Sequence, residues 1–181
     1  MAHHIGIPAE TIIEAIASFK GIKRRLERRM TSEENPAGVT VLDCHAPTAE
    51  KAASVLASIR EVYDKKIIAI FEPNIGGRQK SSIASYNNAF KDADVVIIPH
   101  LTKLKTDSTK SNPEELPLEG DELRAYISKT HPNVEYVDQD NDVVSRALSQ
   151  AKKDDVIAFL GSHGFRGMIE QMVTSLRQQS Q

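Results

Sequence analysis

The chain has 181 residues, 40% of them hydrophobic, with 23 basic and 25 acidic side chains; this suits one domain with a sizeable core. The near-neutral charge argues against nucleic acid or an anionic membrane as the main partner. No apolar run approaches the roughly 20 residues of a membrane span, no secretory leader opens the sequence, and the single cysteine, Cys44, excludes an internal disulfide, so we expect a cytoplasmic protein.

The N-terminal segment predicts a helix followed by a basic strand. Apolar residues recur at helical spacing after Pro8: Ile12, Ile13, Ile16 and Phe19. They predict a short amphipathic helix over residues 9–19. Residues 23–30 then carry five positive charges, and their alternation is typical of a strand. Two interpretations stay open: a solvent-exposed edge strand protected by its charge, or a segment that supplies a phosphate-binding arginine.

Strand and helix patterns alternate along the rest of the chain. Apolar runs within residues 67–71, 94–98 and 156–160 predict strands buried on both faces, and further strands are predicted at 39–43 and 134–137. Helical patterns occupy residues 47–63, 83–90, 121–130, 140–151 and 165–176. The alternation predicts an α/β fold, a Rossmann-like three-layer sandwich whose mostly parallel sheet of about six strands has helices on both faces. Residues 100–118 predict a long surface loop, either functional or a disordered excursion.

Three polar loops follow strands in this scheme, at residues 43–47, 74–80 and 161–167. Because the carboxyl ends of parallel strands lie along one edge of a sheet, we expect the three loops to form one crevice. Asp43 and His45 are predicted in the turn before a helix, where an Asx turn or a helix cap explains them as well as a binding role does. The crevice is predicted to act by charge and hydrogen bonding.

Several common kinds of site do not fit the motifs. Lys80 follows Gln79 rather than the glycine of a Walker loop, and residues 161–167 lack the glycine spacing of a dinucleotide fingerprint. The six histidines and Cys44 never reach the spacing of zinc ligands, and no Ser-His-Asp set can be placed. We therefore expect neither a metal site nor a catalytic nucleophile.

Four segments carry a family resemblance: Phe-Lys-Gly-Ile-Lys-Arg-Arg-Leu-Glu at 19–27, Val-Thr-Val-Leu-Asp-Cys-His-Ala-Pro-Thr at 39–48, Ile-Ile-Ala-Ile-Phe-Glu-Pro at 67–73 and Asp-Val-Ile-Ala-Phe-Leu-Gly-Ser-His-Gly-Phe-Arg-Gly at 155–167. In this order they resemble the C-terminal domain of the Mur ligases. Within the family, the chain is most similar to the branch that reattaches a recycled L-alanyl-γ-D-glutamyl-meso-diaminopimelate tripeptide to UDP-N-acetylmuramate, and next to the branch that adds L-alanine.

The resemblance implies an ATP-dependent amide ligase of peptidoglycan synthesis or recycling that works through an acyl phosphate. Residues 21–181 would form its Rossmann-like C-terminal domain, and residues 1–20 the tail of the preceding ATP-binding domain. The ATP loop, the Mg²⁺ ligands and the N-terminal and central domains would lie outside this chain, so the domain alone is expected to be inactive. The implied substrates are UDP-N-acetylmuramate and an amino acid or peptide, with neither nucleic acid nor a membrane as partner.

The resemblance also implies a set of site residues, none with an assigned catalytic step. Arg25 matches a family arginine that reaches ATP phosphates, and Asp43 lies near a family aspartate that contacts the nucleotide. His45 is likewise expected to contact the nucleotide or its phosphates. The implied substrate contacts are Asn74, Arg78, Ser162, His163, Gly164 and Phe165. A different interpretation, a non-catalytic Rossmann-like module that binds an anion or a protein partner, also stays open.

Overall fold

A six-stranded sheet forms the centre of the computed structural model, which describes residues 2–19, 21–101 and 117–178. The strands are β1 (Glu27–Met30), β2 (Thr40–His45), β3 (Ile67–Glu72), β4 (Val95–Pro99), β5 (Val134–Val137) and β6 (Val156–Gly161). The α-helices of these ranges are α1 (Ala9–Ser18), α2 (Ala49–Val62), α3 (Gly120–Ile127), α4 (Asp140–Gln150) and α5 (Met168–Gln178). Within these ranges no helix has the length and apolar character needed to cross a bilayer.

The strand order is β1-β2-β6-β3-β4-β5. The β1 strand runs antiparallel to β2, and every other neighbouring pair is parallel. The last strand of the chain, β6, is therefore inserted between β2 and β3, and all residues of β3 and β6 are buried. This arrangement confirms the predicted Rossmann-like, mostly parallel sheet, and it confirms that the run beginning at Ile67 is an interior strand.

Helices cover both faces of the sheet, because the buried strands alternate their side chains between two cores. In β6, Ala158 and Leu160 belong to the core under α2 and α3, whereas Ile157 and Phe159 belong to the core under α4 and α5. The N-terminal helix α1 is different, since none of its residues is buried. The three-layer sandwich is therefore built from the elements β1 to α5, and α1 is not part of it.

Several element boundaries differ from the sequence predictions for reasons visible in the backbone. The basic strand begins at Glu27 because Arg24 and Leu26 have φ angles of 57° and 51°, in the left-handed region that interrupts a strand. The last helix begins at Met168, because Phe165 and Arg166 also have positive φ angles. Residues 102–116, which contain most of the predicted long loop, lie outside the described residues.

The segment predicted as a helix over 83–90 is a 3₁₀ helix, Lys80–Tyr86, followed by turns. Serine hydroxyls here bond to backbone carbonyls, Ser82 to Gly76 at 2.9 Å and Ser85 to Ser82 at 2.7 Å. Such bonds compete with an α-helical ladder, and Asn88 ends the segment in the left-handed region at φ 57°. The helix predicted over 121–130 similarly ends early, at Ile127.

Candidate functional site

The three predicted loops meet on one rim of the sheet. In the parallel ladders, the last residue of β6, Gly161, lies between His45 of β2 and Glu72 of β3. The loops that follow these residues also bond to one another, because Ala46 donates its N–H to the Gly161 oxygen at 3.2 Å and Asn74 donates to the Pro47 oxygen at 3.0 Å. The predicted convergence of the three loops is therefore confirmed.

Asp43 lies inside β2, paired with Phe159 of β6, so its predicted position in the strand–helix turn is wrong. The strand is longer than predicted because Cys44 is also buried and continues the ladder. The Asp43 carboxylate faces two arginines, with Oδ1 3.3 Å from Nε of Arg24 and Oδ2 3.7 Å from Nη1 of Arg29. Burial raises the pKa of Asp43, and the charge of Arg24 opposes that rise. Asp43 is thus a buried partner for arginine.

Arg24 binds three successive backbone carbonyls at the end of β6 and in the loop after it. Its guanidinium donates to the backbone oxygens of Ser162 at 2.8 Å, Gly161 at 3.1 Å and His163 at 2.8 Å. The Arg24 backbone is held as well, since its oxygen accepts the His45 N–H at 2.7 Å. One side chain therefore ties the segment before β1 to β2 and to the β6 loop.

His45 and Arg25 lie beside this cluster. His45 is also in β2 rather than in the predicted turn, and its pKa is lowered by burial and then by the positive charges of Arg24 and Arg25. Arg25 itself is exposed and forms no ion pair with a described residue. It lines a cleft of about 550 Å³ together with Phe19, Gly21, Ile22, Leu26, Glu27 and Arg28. This part of the rim carries a positive field that suits an anion.

The loop after β3 is shaped by its own side chains. The Asn74 Oδ1 atom accepts the Gly77 N–H at 2.7 Å, and a Cβ atom at Gly77 would lie only 3.0 Å from the Pro47 oxygen. Arg78 is 2% exposed; its oxygen accepts the Leu118 N–H at 2.9 Å. Burial lowers the pKa of Arg78, opposed by the nearby acidic groups. Asn74 therefore fixes a turn, and Arg78 lies beneath Leu118 rather than on the open rim.

The loop after β6 is anchored at its far end. Phe165 is fully buried, with its ring 5.0 Å from that of Phe159 in an edge-to-face arrangement. Arg166 bonds to Glu72 at 2.7 Å and to both carboxylate oxygens of Asp140 at 2.8 Å. These bonds, first of all the one to Asp140, raise the pKa of Arg166.

The described ranges have neither a metal-binding cluster nor a reactive thiol. They contain no group of three or more His, Cys, Asp or Glu side chains that could hold a metal ion. Cys44 is buried, and burial raises the pKa of its thiol to about 12. A thiol in that state is not a nucleophile at neutral pH.

The family model described as Mur ligase, glutamate ligase domain matches residues 24–163, which is more than half of the chain. The chain belongs to the Mur ligase family. The resemblance predicted from the four sequence segments is confirmed, and the matched region contains the strands and loops that build the rim.

Individual Mur ligases agree with this assignment. UDP-N-acetylmuramate–L-alanine ligase of Bradyrhizobium sp. is 31% identical over 166 residues, which cover 90% of this chain and 33% of that protein. This chain therefore spans about one third of the length of the curated relatives that it matches.

Solved Mur ligases share the fold. The UDP-N-acetylmuramate-alanine ligase of Thermotoga maritima has a TM-score of 0.72 at 18% identity and covers 99% of this chain and 36% of its own. A murein peptide ligase of Psychrobacter arcticus gives 0.66 at 22% identity, covering 97% and 34%. The MurF ligase of T. maritima, solved with ADP, gives 0.62 at 17% identity, covering 98% and 35%. These relatives carry the names of different ligases, so the preference for the recycling branch stays a prediction.

The Mur ligase rim brings together some of the predicted site residues and separates others. Asp43, His45 and the backbone of residues 161–163 meet around Arg24, whereas Arg78 and Phe165 are buried. Of the predicted substrate contacts, His163 and Gly164 are exposed, and the shielded Ser162 hydroxyl has no hydrogen-bond partner among the described residues. The division of the chain at residues 20 and 21 stays a prediction.

Two arginines that organise the Mur ligase rim were missed by sequence reasoning. The sequence pattern places Arg24 only within the basic strand over residues 23–30 and gives Arg166 no role. One sequence feature could have pointed to Arg166, because Glu72 ends an otherwise apolar strand run and a buried carboxylate requires a cationic partner. No comparable feature distinguishes Arg24 from Arg25.

Proposed function

We propose that this chain is the C-terminal domain of an ATP-dependent cytoplasmic ligase that joins an amino acid or peptide to UDP-N-acetylmuramate in peptidoglycan synthesis or recycling. The proposal rests on the 31% identity to a UDP-N-acetylmuramate–L-alanine ligase across 90% of the chain. In such a reaction, ATP activates a carboxylate as an acyl phosphate, and the amine of the incoming substrate displaces phosphate to form the amide. The ATP loop and the Mg²⁺ ligands are proposed to lie in other domains of the full-length protein.

The role proposed for Arg25 is to bind the phosphates of ATP. Its guanidinium is exposed in the 550 Å³ cleft and is not neutralised by a described carboxylate. A fixed arginine beside a transferring phosphoryl group offsets the negative charge that develops there. The positive charge of Arg25 contributes to the lowered pKa of His45, and Arg28 lines the same cleft, so an anion there would meet two exposed guanidinium groups.

The role proposed for the loop after β6 is to contact the incoming amino acid or peptide. His163 and Gly164 are exposed on the same rim as Arg25, between two anchored ends of the loop. A loop held in this way can place an amine against an acyl phosphate without first losing its own conformational freedom.

The experiment is a kinetic comparison in the full-length protein that contains this domain. Arg25→Ala should reduce turnover by about 10²–10³-fold, the usual effect of removing one donor from a developing anion. Arg146→Ala is the matched control, because Arg146 is exposed and its one ion pair with a described residue is to Glu135 at the β5 edge of the sheet; its turnover should stay unchanged. Wild-type turnover in the Arg25 variant would contradict the proposed role.

A cheaper observation separates the ligase from the non-catalytic module. The ligase requires a Gly-Thr-x-Gly-Lys-Thr/Ser loop upstream in the same reading frame, where it would bind ATP phosphates through backbone N–H groups. A reading frame without such a loop, together with no ligase activity, would favour the module.

A further inference from the structure

The Arg24 guanidinium makes four hydrogen bonds with described residues of the rim. Its Nη1 donates to the Ser162 oxygen at 2.8 Å, its Nη2 to the oxygens of Gly161 at 3.1 Å and His163 at 2.8 Å, and its Nε to Asp43 at 3.3 Å. Three successive backbone carbonyls thus converge on one cation. Carbonyl dipoles that point at the same place repel each other, so this loop shape depends on the positive charge between them.

The backbone of Arg24 is fixed at the same time. Its N–H donates to Glu27 at 2.8 Å, its oxygen accepts the His45 N–H at 2.7 Å, and its φ angle of 57° is one that residues other than glycine rarely adopt. The surrounding bonds compensate for this strained conformation. Arg24 is consequently held by β1 and β2 through its backbone and by the loop after β6 through its guanidinium.

The loop between residues 161 and 167 is fixed at two points. Arg24 holds the carbonyls of residues 161–163, and the buried Phe165 ring holds the other end against Phe159. Between them the side chain of His163 and the backbone of Gly164 face solvent. The position of these two exposed residues is therefore set by the contacts of Arg24 and Phe165 on either side of them.

We infer that Arg24 is a positioning residue for the incoming substrate: it holds the 161–163 backbone so that His163 and Gly164 are presented to the amino acid or peptide. The inference rests on the proposed ligase function, and it assigns Arg24 a role separate from that of its neighbour Arg25. Arg24 acts on the loop, whereas Arg25 is proposed to act on phosphate.

Arg24→Lys is the sharpest variant, because lysine keeps the charge but not the planar fork. A lysine ammonium has three donors at one point and cannot reach three carbonyls and a carboxylate together. Asp43→Asn is the milder second variant, since it weakens one contact of Arg24 and leaves the three carbonyl bonds in place. We expect the loop to loosen strongly in the first variant and weakly in the second.

Arg60→Lys is the control for a purely structural effect. Arg60 also bonds to three backbone carbonyls and one carboxylate, those of Tyr63, Lys65, Asp92 and Asp94. Its side chain is 31% exposed, compared with 27% for Arg24. Because Lys65 and Asp94 precede β3 and β4, Arg60 lies at the opposite edge of the sheet from the rim.

The first measurement is amide hydrogen exchange in this chain, which needs no activity. Arg24→Lys should raise exchange in residues 162–167, Asp43→Asn should raise it less, and Arg60→Lys should leave it unchanged there. Unchanged exchange in the Arg24 variant, or an equal rise in the Arg60 variant, would overturn the inference.

The second measurement is steady-state kinetics in the full-length protein. For Arg24→Lys, kcat/KM for the incoming amino acid or peptide should fall by about 10–100-fold, as a displaced contact does, while the KM for ATP stays within about twofold. A KM for ATP that rises by as much as kcat/KM for the incoming substrate falls would reject a role specific to the incoming substrate. A full-length protein without ligase activity would reject the proposed function instead, and hydrogen exchange would still decide whether Arg24 fixes the loop.

Discussion

Gly161 is the position where the rim tolerates no added atom. A Cβ atom there would lie 2.8 Å from the backbone oxygen of Glu72 and 2.8 Å from Cζ of Phe165. Glu72 is held in the β3–β6 ladder, and the Phe165 ring is fully buried against Phe159, so neither neighbour can move without disturbing the core. Gly161→Ala should therefore cost about 1–3 kcal/mol in the free energy of unfolding, the usual range for overpacking.

Gly164→Ala is the matched control, three residues further along the same loop. No atom lies within 4 Å of a Cβ atom at Gly164, and its φ of −81° suits alanine. This variant should unfold as the wild type does or be stabilised by about 0.4–1 kcal/mol through a less flexible unfolded chain. In thermal denaturation, each kcal/mol moves Tm by about 2–4 °C for a chain of this size, so Gly161→Ala should melt about 2–12 °C lower. Equal melting temperatures would refute the packing argument.

Three other measurements test the hydrophobic core, a buried side-chain hydrogen-bond set and the charge around His45. Leu56→Ala, in the fully buried face of α2, should lower the free energy of unfolding in urea by about 2–5 kcal/mol, and a loss below that range would mean that the core refills. Asn35→Ala removes bonds to the Thr31 oxygen and to both backbone groups of Val39 and should cost about 1–3 kcal/mol in the same assay, whereas an unaffected variant would show that water replaces the side chain. His45 has a folded-state pKa below its ordinary 6.5, so its contribution to stability is complete above that pH and is lost as pH falls below it. Arg25→Gln should raise this pKa in an NMR titration of the imidazole, and an unchanged value would mean that the Arg25 charge does not reach His45.

The sheet could be predicted because burial leaves a direct trace in the sequence. Every residue of β3 and β6 is buried, so both strands are nearly continuous apolar runs, and their alternation with helices implies parallel pairing. Parallel pairing in turn places all carboxyl ends on one edge, which is why the meeting of the three loops could be predicted without coordinates. The insertion of β6 between β2 and β3 could not, because a chain order does not state a strand order.

The roles of the two adjacent arginines could not be predicted from the sequence. An alternating pattern through residues 24–30 assumes extended backbone, but Arg24 and Leu26 both have positive φ angles. These angles turn the Arg24 side chain toward the 161–163 carbonyls and leave Arg25 exposed. Non-glycine residues adopt such angles rarely, and at Arg24 the bonds to Glu27, to His45 and to the loop after β6 stabilise the conformation. The bonds to the loop come from residues more than 100 positions away in the sequence.

The distribution of charge on the rim explains how neighbouring arginines can have different tasks. Arg24 donates to Asp43 and to three carbonyls, so its positive charge is largely balanced inside the protein. Arg25 has no such partner among the described residues, and its charge contributes, after burial and Arg24, to the lowered pKa of His45. An anion approaching this rim is therefore attracted to Arg25, while Arg24 holds the backbone of residues 161–163. A charge-preserving substitution separates the two tasks, because lysine retains attraction for an anion at position 25 but cannot reproduce the fork at position 24.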